Sequence, residues 1–424
     1  MIADARVADV GGSPLPDGPA LVAYFAAALL PLGLIFSKSL AEAAVVIIGV
    51  CFILHAVRGP RENLLNAEIG ILIGVWFILV VFVSFAALDV SASLGRAIPW
   101  FRFILLYAAW SLWLVRFPSC LRRLFCWYAL LLMAIVVDMV IQQLTGESLT
   151  GNPLLWTRVT GPMERPGVGA LLGKIGMPTV AGLIWLATSQ RTANRRLLYA
   201  AGGLALVLLT GVLISGDRNE SLLTTAAFVL VAYGMARSSR RGRYLAATTG
   251  IGLMVVIAAI FGLNEFSRIR VRYLVEQLLN FTATEYFRIF ESAFRVFMDN
   301  PWTGAGLKGY RVACNRLLER GEVMFCGLHP HNIYLEWLSE TGLLASAAFL
   351  LFIGLTLREP ARLWRVGGTG RIIAAILLGS LMISLFPIAA SRSFFSNWPA
   401  ILLWTSLGMC IGIARQALAC RTRR

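Results

Sequence analysis

Two of the chain's three histidines fall within three residues of each other, in His329-Pro330-His331-Asn332. They stand directly before IYLEWLSETGLLASAAFLLFIGLTL, a run long enough to cross a bilayer. Imidazole changes charge near neutral pH, so a histidine at such an interface can take the proton of a hydroxyl. Two plainer roles compete. A helix cap is one, but Asn332 already supplies it. A zinc site is the other; HxH spacing needs one or two more ligands, and neither a third outer histidine nor a carboxylate cluster is apparent. His55 falls at the opposite helix end, and no CxxC spacing occurs.

Charged residues at helix ends form the second group of candidates. Arg218 lies in SGDRNES, a short turn between two very apolar walls. A guanidinium there can snorkel harmlessly, or it can clamp a phosphate through two parallel hydrogen bonds. Arg158 and Arg165 precede the sixth apolar segment, Lys174 lies just inside it, and Arg392 lies in SRSFFSN before the last. Arg288 flanks an apolar stripe, where an arginine is either solvated or a ligand contact. Asp138, Glu336 and Glu340 are carboxylates at membrane depth, which usually face a cavity or a partner. Glu336 and Glu340 are one turn apart, placed either to pair with inward arginines or to shape a cavity.

The elements that position these residues follow from composition. The chain is 58% hydrophobic and 14% charged, with mean hydropathy +0.75, so it belongs in lipid. Twelve apolar stretches read as spans: 20–36, 39–57, 68–88, 99–115, 124–144, 171–188, 197–215, 221–236, 244–262, 332–357, 372–390 and 397–414. A tight turn at Ser37-Lys38-Ser39 must join the first two. The expected fold class is an all-α polytopic membrane protein with about 12 transmembrane helices. Its parts are an N-terminal tail (1–18), nine helices (19–262), a long, partly helical outer segment (263–331), three helices (332–418) and a basic tail (419–424).

Charge sets the expected orientation. Alternate loops carry Arg58 and Arg61; Arg116, Arg122 and Arg123; Arg191, Arg195 and Arg196; Arg237, Arg240, Arg241 and Arg243; Arg358, Arg362, Arg365 and Arg371; the C-terminus adds Arg415, Arg421, Arg423 and Arg424. The positive-inside rule places these, and both termini, in the cytoplasm. Met1–Gly18 bears Asp4, Asp9 and Asp17 and lacks the basic start of a signal peptide, so it reads as a disordered cytoplasmic tail. The net charge of +16 is thus a topology signal dispersed over short loops, and no nucleic-acid partner is expected. The long segment carries nine Lys+Arg and seven Asp+Glu, and its length exempts it from the rule. Within it, Thr282-Ala283-Thr284-Glu285 reads as a capping box. Phe287, Phe290, Phe294 and Phe297 then form an apolar stripe toward lipid or core, Asn300-Pro301 ends the helix, and Gly304-Ala305-Gly306 turns the chain. Cys314 and Cys326 are the segment's one cysteine pair and could join if this face is oxidising.

With these residues in hand the chain resembles the O-antigen ligase/polymerase superfamily of bacterial envelope glycosyltransferases, which are GT-C-like membrane proteins. The resemblance lies in the nine-plus-three order and in three stretches: SGDRNES, EYFRIFESAFRVFMDNPWTGAGL and HPHNIYLEWLSETGLLA. It implies transfer of a glycan from an undecaprenyl-pyrophosphate donor to lipid A–core oligosaccharide at the periplasmic face of the inner membrane. The reaction would be inverting, with no cofactor and no metal; the outer loops carry no DxD pair, so arginines must meet the leaving charge. By that resemblance His331 is the general base, while Arg218 and Arg288 hold the pyrophosphate. His329, Arg158, Lys174, Arg392 and Asn332 are the expected substrate-binding residues.

Membrane lipid is the remaining expected partner, and the sequence is silent on oligomeric state. An O-antigen polymerase is the nearest rival. Its Arg-x10-Gly spacing occurs at Arg158…Gly169 and Arg295…Gly306, but a few such pairs arise by chance in a chain this rich in both residues. A protein O-oligosaccharyltransferase often carries a soluble region after the last span, and a secondary transporter would show a repeat of the helix pattern; neither feature is present here.

Overall fold

The computed structural model describes residues 16–58, 66–155, 158–189, 192–263 and 265–422. Most of the expected N-terminal tail, and Arg61, Arg191, Arg423 and Arg424 of the basic loops, lie outside the described residues. The described chain is helical almost throughout. The helices are α1 (Gly18–Phe36), α2 (Lys38–Arg58), α3 (Ala67–Val83), α4 (Val90–Arg116), α5 (Pro118–Thr145), α6 (Val168–Thr188), α7 (Arg195–Ser215), α8 (Arg218–Ala236) and α9 (Arg240–Leu263). The outer segment supplies α10 (Glu265–Leu279), α11 (Glu285–Asp299) and α12 (Tyr310–Glu319). The chain closes with α13 (Ile333–Val366), α14 (Gly368–Leu385) and α15 (Asn397–Thr422).

Each of the twelve apolar stretches overlaps a helix, although 68–88 and 372–390 run on into turns, and Ser37 alone separates α1 from α2. Among the described residues nine helices are both long and apolar enough to cross a membrane: α1, α2, α4, α5, α6, α7, α13, α14 and α15. The three others read as spans, α3, α8 and α9, are helical but outside that set; α3 is shorter. Burial separates centre from rim. The apolar stretch of α6 is 89% buried within the protein and that of α2 only 39%, so α6 is a central post and α2 faces outward.

Helix reversal puts the loops at two opposite ends, and cross-links bear this out. At one end Trp398 donates to the Leu34 carbonyl (2.8 Å), Leu88 to Ala305 (3.2 Å) and Asn219 to Ala390 (2.8 Å). At the other end Arg371 donates to the Arg237 carbonyl, and Arg415 pairs with Glu68 at 2.5 Å. The basic loops share the second end; the long outer segment and the histidine motif share the first.

The outer segment departs from expectation in three instructive ways. Thr284 caps α11, accepting from the Phe287 amide at 3.2 Å, so the cap stands two residues after Thr282. The buried face of α11 is Ile289, Ser292, Ala293 and Val296. Ala293 and Val296 join a small separate core with Ala305, Tyr310, Cys314 and Leu317. The phenylalanine stripe is thereby turned away from that core, with Phe294 half exposed. Third, α13 is broken at Gly342, whose φ of 69° belongs to the left-handed region. The 301–306 turn fits into the break: Leu343 donates to Pro301 O (2.8 Å), Ala305 to Ser339 O (2.9 Å) and Gly306 to Glu340 O (3.0 Å). A side chain at Gly342 or Gly304 would collide with backbone across this contact. Backbone freed by a broken helix must find partners inside the protein when lipid surrounds it, and here it does.

Candidate active site

One cavity of about 530 Å³ opens among the helix ends on the side of the outer segment. Its wall includes Arg158, Lys174, Arg218, Arg392 and His331, five of the eight expected site residues, drawn from regions far apart in sequence. Asp217, Glu220, Gln277, Tyr286 and Ser391 line it too, and none of these was singled out from the sequence as a site residue. Phe281, Phe290, Ile333 and Leu402 supply apolar wall. Arg288, His329 and Asn332 are absent from that wall.

Arg218 is the first residue of α8, set by a turn that leaves little freedom. Gly216 takes φ 75° after α7, and Asp217 reaches across to accept from the Gly169 amide at 3.2 Å. A Cβ on Gly169 would stand 2.7 Å from the Ser215 hydroxyl and 2.8 Å from the Asp217 carboxylate, so α6 can approach this turn only through glycine. The Arg218 guanidinium donates to Gln277 at 2.7 Å, which ties α10 to the cavity. Lys174 projects from α6 and shares the cavity wall with the carboxyl of Glu220 of α8, which acts on it electrostatically. Arg392 donates to the Pro166 carbonyl and lies over the Trp398 ring, 5.1 Å from its centre. Arg158 sits in the 146–167 loop, which Gln142 organises from inside the bundle. Its amide oxygen accepts from Thr160 (2.9 Å) and Gly161 (2.8 Å), while its nitrogen donates to Asn152 and Pro153 carbonyls.

The two histidines are unequal. His331 lines the cavity with φ 55°, a left-handed conformation sparsely used by side-chain-bearing residues and concentrated at functional sites. Its carbonyl accepts from the Ser391 amide at 2.6 Å, and the Tyr286 ring meets its imidazole edge-on at 6.0 Å. Burial holds the His331 pKa below its ordinary 6.5, so the ring is neutral at neutral pH with a lone pair available. His329 lies behind it with ring centres 3.9 Å apart and its Nε2 3.3 Å from the Ser391 carbonyl. Burial first, then the His331 and Arg392 charges, push its pKa to about 4. Asn332 caps α13 as expected, accepting from Tyr334 (3.0 Å) and Leu335 (3.1 Å), and its amide donates to Pro387 (2.6 Å).

Other expectations find definite places. Arg288 is exposed on α11, outside the cavity wall. Cys314 and Cys326 are joined by a disulfide, which ties α12 to the strand of chain entering the histidine motif. Among the described residues Glu336 and Glu340 do not line the cavity and have no ion-pair partner within 4.0 Å, though Arg96 acts on both; each bonds to a loop segment. Asp138 likewise accepts from the Leu149 amide at 2.6 Å. Among the described residues no cluster of three His, Cys, Asp or Glu side chains is placed to hold a metal.

The cavity is therefore a membrane-end site whose wall combines a neutral imidazole, four cationic side chains and the carboxyls of Asp217 and Glu220. It suits an anionic, partly apolar substrate and a reaction that removes a proton. Residues 203–350 match the family model described as O-Antigen ligase. That stretch contains Arg218, Arg288, His329, His331 and Asn332, and leaves Arg158, Lys174 and Arg392 outside. No curated protein matches the chain.

Proposed function

The match at residues 203–350 supports assignment of this chain to the O-antigen ligase family, and from that premise we propose a specific reaction. The protein transfers O-antigen glycan from undecaprenyl pyrophosphate to lipid A–core oligosaccharide, at the periplasmic face of the inner membrane. Both termini are then cytoplasmic, in line with the basic loops at the opposite end.

The observation that carries this reading is the sharing of one cavity by His331 and four cationic side chains: Arg158, Lys174, Arg218 and Arg392. The donor's pyrophosphate lies against those cations, and the apolar wall receives the first units of its prenyl chain. His331 accepts the proton of the acceptor hydroxyl as that oxygen attacks the anomeric carbon. The bond from that carbon to the pyrophosphate oxygen breaks with inversion, and the electron pair leaves on the carrier. The fixed cations stabilise the growing charge, which is the work a divalent metal would otherwise do. Arg288 meets the emerging phosphate–glycan at the mouth, past Tyr286. His329 and Asn332 orient His331.

Reconstitution tests this directly. Purified protein in liposomes is given carrier-linked glycan with lipid A–core, or with a second carrier-linked unit as the only acceptor. Extension of lipid A–core supports the ligase. Extension of the second unit makes the protein a polymerase acting through the same site, and transfer to neither overturns the reading.

A further inference from the structure

Glu336 is a buried carboxyl group, one helical turn from Glu340 and within the influence of Arg96, that the proposed chemistry does not use. It is 1% exposed, in the short first half of α13 between Asn332 and the break at Gly342. One carboxylate oxygen accepts from the Ser393 hydroxyl at 2.5 Å and the other from the Phe394 amide at 2.7 Å. These are the two residues that follow Arg392. The segment 385–396, which joins α14 to α15, is held at its other points by bonds to single carbonyls or amides. Tyr334 donates to Leu385 (2.6 Å), Asn332 to Pro387 (2.6 Å), Asn219 to Ala390 (2.8 Å), and Ser391 donates to His331 (2.6 Å). Glu336 grips it with both oxygens of one carboxyl group.

Ring packing would seat this segment without a charge. Phe394 and Phe395 each lie 5.2 Å from Trp337, which is stacked on Phe349 at 4.2 Å. A buried carboxylate adds a desolvation cost that apolar packing avoids. What it adds in return is direction: two oriented bonds from one side chain fix the backbone next to a cavity arginine. Glu340, one turn on, makes a similar contact elsewhere, accepting from the Lys308 amide at 3.0 Å, so the two carboxylates anchor different outer loops.

We propose that Glu336 is a positioning residue: it sets the backbone after Arg392 so that this guanidinium faces the cavity and Ser391 holds His331. Its kinetic consequence rests on the transferase reading above; its structural consequence does not. The test measures amide hydrogen exchange across 390–396, together with KM and kcat for carrier-linked glycan, in wild type, Glu336→Ala, Glu336→Gln and Ser393→Ala. Glu336→Ala is expected to raise exchange roughly tenfold and KM roughly tenfold, with kcat falling as well, because Arg392 and His331 act in the transition state. Glu336→Gln can accept from Phe394 and donate to Ser393, and it restores both readouts to near wild type. Ser393→Ala removes one bond and raises KM about threefold, and it keeps the test alive if the alanine at 336 prevents folding.

Unchanged exchange in Glu336→Ala, or in Ser393→Ala where only that variant folds, overturns the proposal. A glutamine variant with loosened exchange and raised KM does so as well. Loosened exchange in a protein whose wild type transfers nothing would leave the positioning role standing and remove the transferase reading.

Discussion

The two walls of the cavity are made of different material. One consists of span ends: the α7–α8 turn with Arg218, α6 with Lys174, and the 385–396 segment with Arg392. Its backbone is pinned by Asp217, Asn219 and Glu336. The other is the outer segment, where α10 and α11 supply Gln277, Tyr286 and Phe290 and where Arg288 and Phe294 are exposed. The same residue type, arginine, lies in the cavity where loops and a helix start carry it, at Arg158, Arg218 and Arg392, and outside it where a surface helix carries it, at Arg288. A cation can stabilise a leaving group only if it is held in place before the charge develops.

The contrast can be broken by substitution. His331→Ala removes the proposed base and is expected to lower transfer by about 10²–10⁴-fold, measured as product per unit time in liposomes. Arg218→Ala should lower kcat by about 10²-fold, and Arg218→Lys should recover only part, because an ammonium cannot donate two parallel bonds. Arg288→Ala is expected to cost no more than about tenfold, seen mainly in KM. Equal losses at 218 and 288 would show that the outer helix closes onto the donor and that the two walls work as one.

pH sharpens the same comparison. A base works deprotonated, and burial lowers the His331 pKa, so activity should persist as pH falls through 6.5 and decline only below it. A decline centred above 6.5 would contradict the buried setting. The smallest effect belongs to the outer wall's own tie. Replacing Cys314 and Cys326 with serine should reduce transfer by only about two- to fivefold, while lowering the melting temperature of the outer segment.

Much of the first wall was legible in the sequence. Apolar runs mark helices because lipid demands internally bonded backbone, and an arginine in a five-residue turn between two of them has few places to go. Asn332 was readable as a cap for a local reason, since its partners are two and three residues away. The outer wall resisted reading because its contacts are long-range. The phenylalanine stripe has helical spacing, yet the smaller residues Ile289, Ser292, Ala293 and Val296 are the ones buried, because α12 and the 301–306 turn approach from that side. Gly342 looked like one more residue of a span, and only its contact with Trp302 and Thr303 reveals the break. Glu336 and Asp138 announced themselves as polar groups at depth, whereas Gln142 did not. Their partners are loop amides, which carry no side-chain signal.

The central claim is that His331 performs chemistry in a cavity whose cations bind the donor independently. Binding of undecaprenyl-pyrophosphate-linked glycan and its transfer to lipid A–core, measured side by side on wild type and His331→Ala in the same liposomes, separate these two roles. The account predicts donor affinity within about threefold of wild type and transfer reduced by at least about 10²-fold. Transfer at the wild-type rate by a correctly inserted His331→Ala protein would contradict it.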